Sequence, residues 1–227
     1  MLSKVNQGGP VTFPEFTGER VYMRRFDRGA PLPTDIARWQ PTVDAMLDGI
    51  VSTGAVYLMV DQRAVQSGSF HRRPGLHVDG YWCDGLLAHG GNIYPPSHHA
   101  APRAPGHRAI APSHHATPSP GGGHRGAQSP GHRGVGPGGH TSGAGPQEAL
   151  IVASDVMGCR GFEGEWHGRF GNGGDCSDVA LETLTAVDFE PGRVWFGETG
   201  AMLHESIPLR RDALRTVVRL NVTNWLP

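Results

Sequence analysis

A chain of 227 residues has the size of one ordinary domain or two small ones. Its formal charge of −1 gives no global attraction to nucleic acid or to an anionic membrane, and no run approaches the roughly 18 to 20 apolar residues of a spanning helix. Three cysteines, Cys83, Cys159 and Cys176, form no CxxC pair, and without a secretory leader they argue for a reducing compartment rather than a disulfide framework.

Met1 to Pro14 carries no apolar run of the signal-peptide kind. In Glu19 to Phe26, Val21 and Met23 alternate with Arg20, Tyr22 and Arg24, which predicts a short strand. Pro41 suits the first turn of a helix, Val43, Met46 and Leu47 fall at i, i+3 and i+4, and Gly49 suits the position just past a helix end. A short amphipathic helix is therefore expected over Pro41 to Asp48. Ala55 to Asp61 is rich in strand formers and too short for a buried helix, so it reads as a buried strand. Gly75 to Trp82 follows the turn-like Arg72-Arg73-Pro74-Gly75 and predicts another strand, which carries His77 and Asp79.

From Leu86 to Gln147 there is no Asp or Glu, and Gly, Pro, Ser, His and Arg dominate. Most of the excess in the chain's 34 glycines and 19 prolines lies here, as do nine of its 13 histidines. Pro-Ser-His-His-Ala occurs at Pro96 and Pro112, and Gly-His-Arg at Gly106, Gly123 and Gly131, the remains of a tandem duplication. Too few apolar groups recur for a packed solenoid, so residues 86–147 read as a low-complexity insert, a disordered or polyproline-II-like tether, and its histidines and arginines leave metal chelation, anion binding and pH-dependent charging open. It divides one β domain into residues 1–85 and 148–227.

Beyond the insert, Ala149 to Ser154 reads as a strand, and the Gly-rich stretch from Gly158 to Ser177 as loops and hairpins. Val179 to Phe189, the turn Glu190-Pro191-Gly192-Arg193, strand Val194 to Gly197, the segment Ala201 to Ile207 and a last strand, Leu214 to Val222, complete the order. Short strands separated by turn signals at this spacing predict an all-β sandwich or barrel rather than βαβ units.

Side chains two apart on a strand share a face, so His77 and Asp79 project an imidazole and a carboxylate from one rigid element. His204, in an apolar segment, is the candidate third ligand. It lies 63 residues from Asp79 once the 62-residue insert is set aside, an ordinary separation for distant strands of one small barrel. Two imidazoles and one carboxylate leave three positions open on Fe(II).

His77-Val78-Asp79, then His204, then Arg215 eleven residues later, resembles the HxD…H…R arrangement of Fe(II)/2-oxoglutarate-dependent dioxygenases. The resemblance covers residues 55–85 and 149–222. It implies a double-stranded β-helix, a jelly-roll-like barrel, with Fe(II) held by His77, Asp79 and His204. It also implies that an arginine on the last core strand pairs with the far carboxylate of 2-oxoglutarate. Arg215 is the first choice, and Arg219, on the same face, the second. The implied activity is oxidative decarboxylation of 2-oxoglutarate coupled to hydroxylation of a substrate C–H bond, with the substrate unidentified. The repetitive insert departs from the family pattern.

Other readings stay open. His77, Asp79 and His204 can be hydrogen-bonded core residues, and Arg215 can pair with Asp212 or another carboxylate. Cys159 and Cys176 flank His167 but lack the spacing of a common zinc finger. A rival function is a non-catalytic jelly-roll structural or assembly protein, of a virus particle or filament, that forms homo-oligomers through the Gly/Pro/His insert. The expected location is cytoplasmic or virion-associated.

Overall fold

The computed structural model describes residues 1–79, 147–168 and 171–227, except for the side chain of Asn172. Cys83, residues 80–82 of the expected HxD strand, and the insert as far as residue 146 lie outside the described residues. The chain is mainly β, as the strand-forming runs predict, with a single short α-helix among the described residues. Two antiparallel sheets carry the architecture.

The larger sheet has the order β2 (Asn6–Pro10), β9 (Arg193–Glu198), β6 (Gln147–Ser154), β11 (Ala213–Leu226), β5 (Ala55–Val65) and β3 (Arg20–Asp27). The short β4 (Val51–Ser52) pairs with the far end of β11. In the smaller sheet β7 (Cys159–Glu165) pairs with β1 (Leu2–Ser3), β8 (Thr185–Asp188) and β10 (His204–Ser206). Gln147, assigned by composition to the insert, is the first residue of β6.

The pairing is nested. β5 pairs with β11, the His77 segment with β10, β6 with β9, and β7 with β8. Among these eight segments the first therefore pairs with the last, the second with the seventh, and so inward. Two arms of one antiparallel ribbon pass together from the larger sheet to the smaller, back, and over again.

One face of the larger sheet packs against α1 (Gln40–Leu47), which a 3-10 turn at Thr34–Trp39 precedes. Pro41 lies in the first turn and Gly49, with φ of +72°, follows the helix end, as the sequence predicts. Trp39, Val43 and Met46 are fully buried against Val56, Leu58, Ile151, Val218 and Leu220. At roughly 1.5 to 3 kcal/mol for each large apolar side chain buried, this layer contributes much of the fold's stability. The opposite face looks toward the smaller sheet through Leu150, Val152, Val217 and Trp195, which pack on Val5, Cys159, Phe189 and Met202.

One element differs from expectation. Gly158 to Ser177 contains the strand β7, which a Gly-rich composition hides because β-propensity yields to pairing context. Of the expected strand at Gly75 to Trp82, the described part, Gly75 to Asp79, carries an isolated bridge at His77, with another at Pro74 just before it.

Asp61, on β5 and 2% exposed, ties three segments together. It takes a bidentate contact from Arg63, and Arg72 NH1 lies 3.3 Å away, His71 Nε2 3.5 Å and Arg20 Nε of β3 3.5 Å. Burial alone would raise its pKa; hydrogen bonds and charge from His71 and Arg63 reverse this and hold the carboxyl well below its ordinary value. A depressed folded-state pKa gives stability that is present above the unfolded pKa of about 3.9 and is lost as pH falls toward the folded value. Asp61→Asn is expected to cost about 2 kcal/mol at neutral pH, less than a dry pair because Arg63 and Arg72 are each more than a third exposed. In urea unfolding measured from pH 7 downward, the deficit should shrink below about pH 4; a pH-independent deficit would assign the loss to packing.

Candidate metal centre

The site begins with two backbone hydrogen bonds. His77 N–H donates to the His204 carbonyl at 2.9 Å, and His204 N–H to the His77 carbonyl at 3.0 Å. Residues that exchange both bonds lie directly opposite each other in an antiparallel pair, so their side chains share a face. Here the two ring centroids are 4.3 Å apart. Strand alternation sends the neighbours the other way: Leu76, Val78 and Leu203 pack with Phe162, Trp166, Cys176 and Val179. Apolar burial on the outer face thus holds the imidazoles on the inner one.

The other side of the His77 segment is closed by the turn at 174–176. Val78 N–H donates to the Gly174 carbonyl at 2.9 Å, and Cys176 N–H to the Leu76 carbonyl at 2.9 Å. Gly174 has φ of +77°, and a β-carbon there would overlap the Val78 carbonyl oxygen, so the approach requires glycine. Asp79 N–H donates to the Thr199 carbonyl at 3.1 Å, which fixes the third residue of the group.

Each imidazole has one nitrogen committed to backbone. His77 Nδ1 lies 2.7 Å from the Gly75 carbonyl oxygen and His204 Nδ1 lies 3.0 Å from that of Met202. A proton on each Nδ1 donates to that carbonyl and leaves the Nε2 lone pair for a metal, the usual outer-shell support of a histidine ligand. Asp79 Oδ2 sits 3.6 Å from His204 Nε2. One ligand atom from each of His77, Asp79 and His204 lies within 4.8 Å of the others. Metal bonds of about 2.1 Å place adjacent donors about 3 Å apart, so side-chain rotations closing up to about 2 Å complete the site.

Electrostatics suits this donor set. Burial, then the neighbouring His204, pushes the His77 pKa down to about 3. Burial also lowers His204, aided by Arg219 and Arg73 and opposed by Asp79. Both imidazoles are neutral at pH 7, the form that ligates. Burial alone would raise the Asp79 pKa, but the charge of Arg219, with that of Arg72 and of the imidazoles where these are protonated, more than offsets that and keeps the carboxylate ionised.

Arg219, on β11, joins the site through Asp79: its NH1 donates to Asp79 Oδ2 at 2.9 Å. Its Nε donates to Asn221 Oδ1 at 2.9 Å, and Asn221 Nδ2 donates to Glu148 Oε1 at 2.6 Å. Asn221 and Glu148 are fully buried. Neither residue stands out in the sequence as a candidate for the site. The available signal was parity: Asn221 shares a strand face with Arg215 and Arg219 while its neighbours Leu220 and Val222 are apolar.

Arg215 lies four residues, two strand repeats, before Arg219 on β11, and no hydrogen bond or ion pair joins it to the triad among the described residues. It is fully buried, with Nε donating to Ser154 Oγ at 3.0 Å and the Val156 carbonyl at 3.1 Å, and NH2 to Cys159 Sγ at 3.4 Å. Gly158 makes room for the guanidinium, since a β-carbon there would overlap it. NH1 has no partner among the described residues, and neither Asp212 nor another described carboxylate forms an ion pair with Arg215. Asp212 instead accepts from Ser67 N–H. Cys159 and Cys176 are free and buried in different apolar clusters, on the two faces of the smaller sheet.

The histidine–aspartate–histidine group is thus a possible metal site, the one such group among the described residues. No protein-family model, curated protein or solved structure matches the chain. No helix among the described residues is long and apolar enough to cross a membrane.

The Glu148–Asn221–Arg219 chain aims a guanidinium at one oxygen of Asp79 and so leaves the other for a metal. Asn221→Ala should weaken Co(II) binding roughly tenfold, the low end of the effect of removing support behind a ligand. Chelator competition measures it, and an unchanged affinity would show that Arg219 holds Asp79 unaided.

Proposed function

We propose that the chain is an Fe(II)- and 2-oxoglutarate-dependent oxygenase built on a double-stranded β-helix. The nested ribbon supports the fold, because an antiparallel ribbon passing alternately between two sheets is the plan of a jelly roll. His77, Asp79 and His204 support the metal, being the two-histidine, one-carboxylate set that suits non-haem Fe(II) and leaves positions for other ligands.

The observation that carries the cosubstrate is Arg215. A buried guanidinium without a carboxylate partner and with one nitrogen unpaired is costly, and a dicarboxylate reaching it supplies the missing anion. Beside it lies a cavity of about 10 Å³, bounded in part by Val152, Phe189 and Trp195. That is room for about one water. That is too small for a carboxylate, so in this reading the side chains around Arg215 move apart for the distal carboxylate of 2-oxoglutarate to reach it. When bound together, Fe(II), 2-oxoglutarate and dioxygen supply oxidative decarboxylation coupled to hydroxylation of a C–H bond. Among the chain's own groups, the neutral histidines hold the metal, Arg219 orients Asp79, and Arg215 anchors the cosubstrate.

Calorimetric titration of Fe(II) and then 2-oxoglutarate, with dioxygen excluded, tests this. Wild type should bind both, and His77→Ala should lose the iron. Arg215→Ala should retain iron while binding 2-oxoglutarate roughly ten- to hundredfold more weakly, the loss for one charge-assisted pair. Iron binding without 2-oxoglutarate binding in wild type would sink the oxygenase reading and favour a metal-holding scaffold. The absence of both would favour the assembly protein.

A further inference from the structure

We propose that Cys159 is a site of oxidation by hydrogen peroxide, and that the sulfenate formed takes Arg215 as its counter-ion and so excludes 2-oxoglutarate. The exclusion rests on the oxygenase reading, whereas the modification site stands without it.

Cys159 and Arg215 meet in one buried place. Arg215 NH2 donates to Cys159 Sγ at 3.4 Å, and both residues bound the cavity of about 10 Å³, with Ser154 and Trp195 beside them. Arg215 is fully buried, its NH1 has no hydrogen-bond partner among the described residues, and no described carboxylate pairs with it. The contact, the shared void and the unmatched cation are separate observations, and together they describe a place suited to one small anionic group. Exposed Glu190 forms part of the cavity wall, so the approach from solvent is short.

The size of the cavity sets how far the oxidation goes. Room for about one water is room for one oxygen atom added to Sγ. The Sγ electron pair attacks one peroxide oxygen, an S–O bond forms as the O–O bond breaks, and the departing hydroxide takes the thiol proton and leaves as water. Sulfur is oxidised by two electrons and the peroxide is reduced by two. Loss of the sulfenic acid proton to solvent then leaves a negative oxygen beside a guanidinium that has an N–H to spare. A buried cation with neutral partners becomes a charge-assisted pair.

Cys176 has the opposite setting and serves as an internal control. It sits in the apolar cluster around Trp166, its Sγ donates to the Gly174 carbonyl at 3.3 Å, and burial pushes its thiol up. The two sulfurs lie in different clusters, on the two faces of the smaller sheet, so an external thiol is the reductant that returns Cys159 to its starting state. The cosubstrate needs the same guanidinium. Its distal carboxylate reaches Arg215 only where the surrounding side chains part, and an oxygen on Sγ fills that void and satisfies the cation first.

The test treats the full, reduced chain with hydrogen peroxide before any metal is added and locates the added oxygen by peptide mapping after dimedone trapping. Cys159 should gain one oxygen while Cys176 gains none. The urea midpoint of the oxidised chain should rise by roughly 0.5 M, from about one charge-assisted bond and an ordinary urea slope. After loading with Co(II), the oxidised chain should bind 2-oxoglutarate roughly tenfold more weakly than the reduced chain, and dithiothreitol should restore the affinity. In Cys159→Ser, peroxide should change neither the midpoint nor the affinity.

A Cys159 that gains no oxygen, or that runs on to the sulfinate, overturns the proposal. A lowered midpoint in the oxidised chain also overturns it, since oxygen on a sulfur without a counter-ion only crowds the core. Undiminished 2-oxoglutarate binding by the oxidised chain overturns the exclusion. If reduced wild type binds no 2-oxoglutarate at all, the oxygenase reading falls, and the peptide map and the midpoint still decide the modification site, so the two failures are told apart.

Discussion

The reciprocal backbone pair between His77 and His204 is the constraint on which the rest of the site depends. It joins segments 127 residues apart in sequence and sets their register to the residue. A slip of one position would turn both imbalances of the segment over at once: the imidazoles would face the outer apolar cluster, and Leu76, Val78 and Leu203 would face the charged interior. Two opposing costs therefore hold one register. Unpaired polar groups resist entry into the cluster around Trp166, and apolar side chains resist the space near Arg219 and Asp79. The turn at Gly174 closes the far side of the segment, so the first two ligands need no long ladder to be rigid.

Between the sheets the interior is divided. On the β6 and β9 side it is apolar, around Leu150, Val152, Trp195 and Met202. Toward β5 and along β11 it carries Asp61, Arg215, Arg219 and Asn221, whose parity puts them on the same inner face. Charges in such a place lower stability unless they are paired, and here the pairing is uneven. Asp61 has more cations than it can match, Asp79 has Arg219, and Arg215 has neutral partners. A purely structural interior gains nothing from a fully buried arginine without a counter-charge, whereas a site that receives an anion does.

Much of this arrangement was legible in the sequence because it rests on periodicity. His77 and Asp79 share a face by the two-residue repeat of an extended chain, and Arg215 and Arg219 share one for the same reason. The helix was readable from Pro41, its apolar spacing and Gly49. β7 was hidden because Gly161 and Gly164 interrupt its pattern, and its place is set by pairing with β8 and β10 rather than by its own residues. The division of labour between the two arginines was also hidden. Alternation places both on one face, but only the folded chain decides that Arg219 reaches Asp79 while Arg215 ends among Ser154, Val156 and Cys159. Glu148 and Asn221 looked like isolated polar residues, since their pairing spans two strands.

The position of the long insert has its own physical logic. The described chain stops at Asp79 and resumes at Gln147, and both ends are tied to the same residue. Asp79 N–H donates to the Thr199 carbonyl, and Thr199 N–H donates to the Glu148 carbonyl at 2.8 Å. Thr199 thus bridges the last residue of the HxD segment to the start of strand β6. Glu148 continues inward through Asn221 and Arg219 to the Asp79 carboxylate, so the ligand is held by its backbone and its side chain from two directions. With the ends fixed in this way, the sequence between them need not position Asp79. A segment rich in glycine, proline and histidine can therefore interrupt the sequence between Asp79 and Gln147 while the three ligands keep their places.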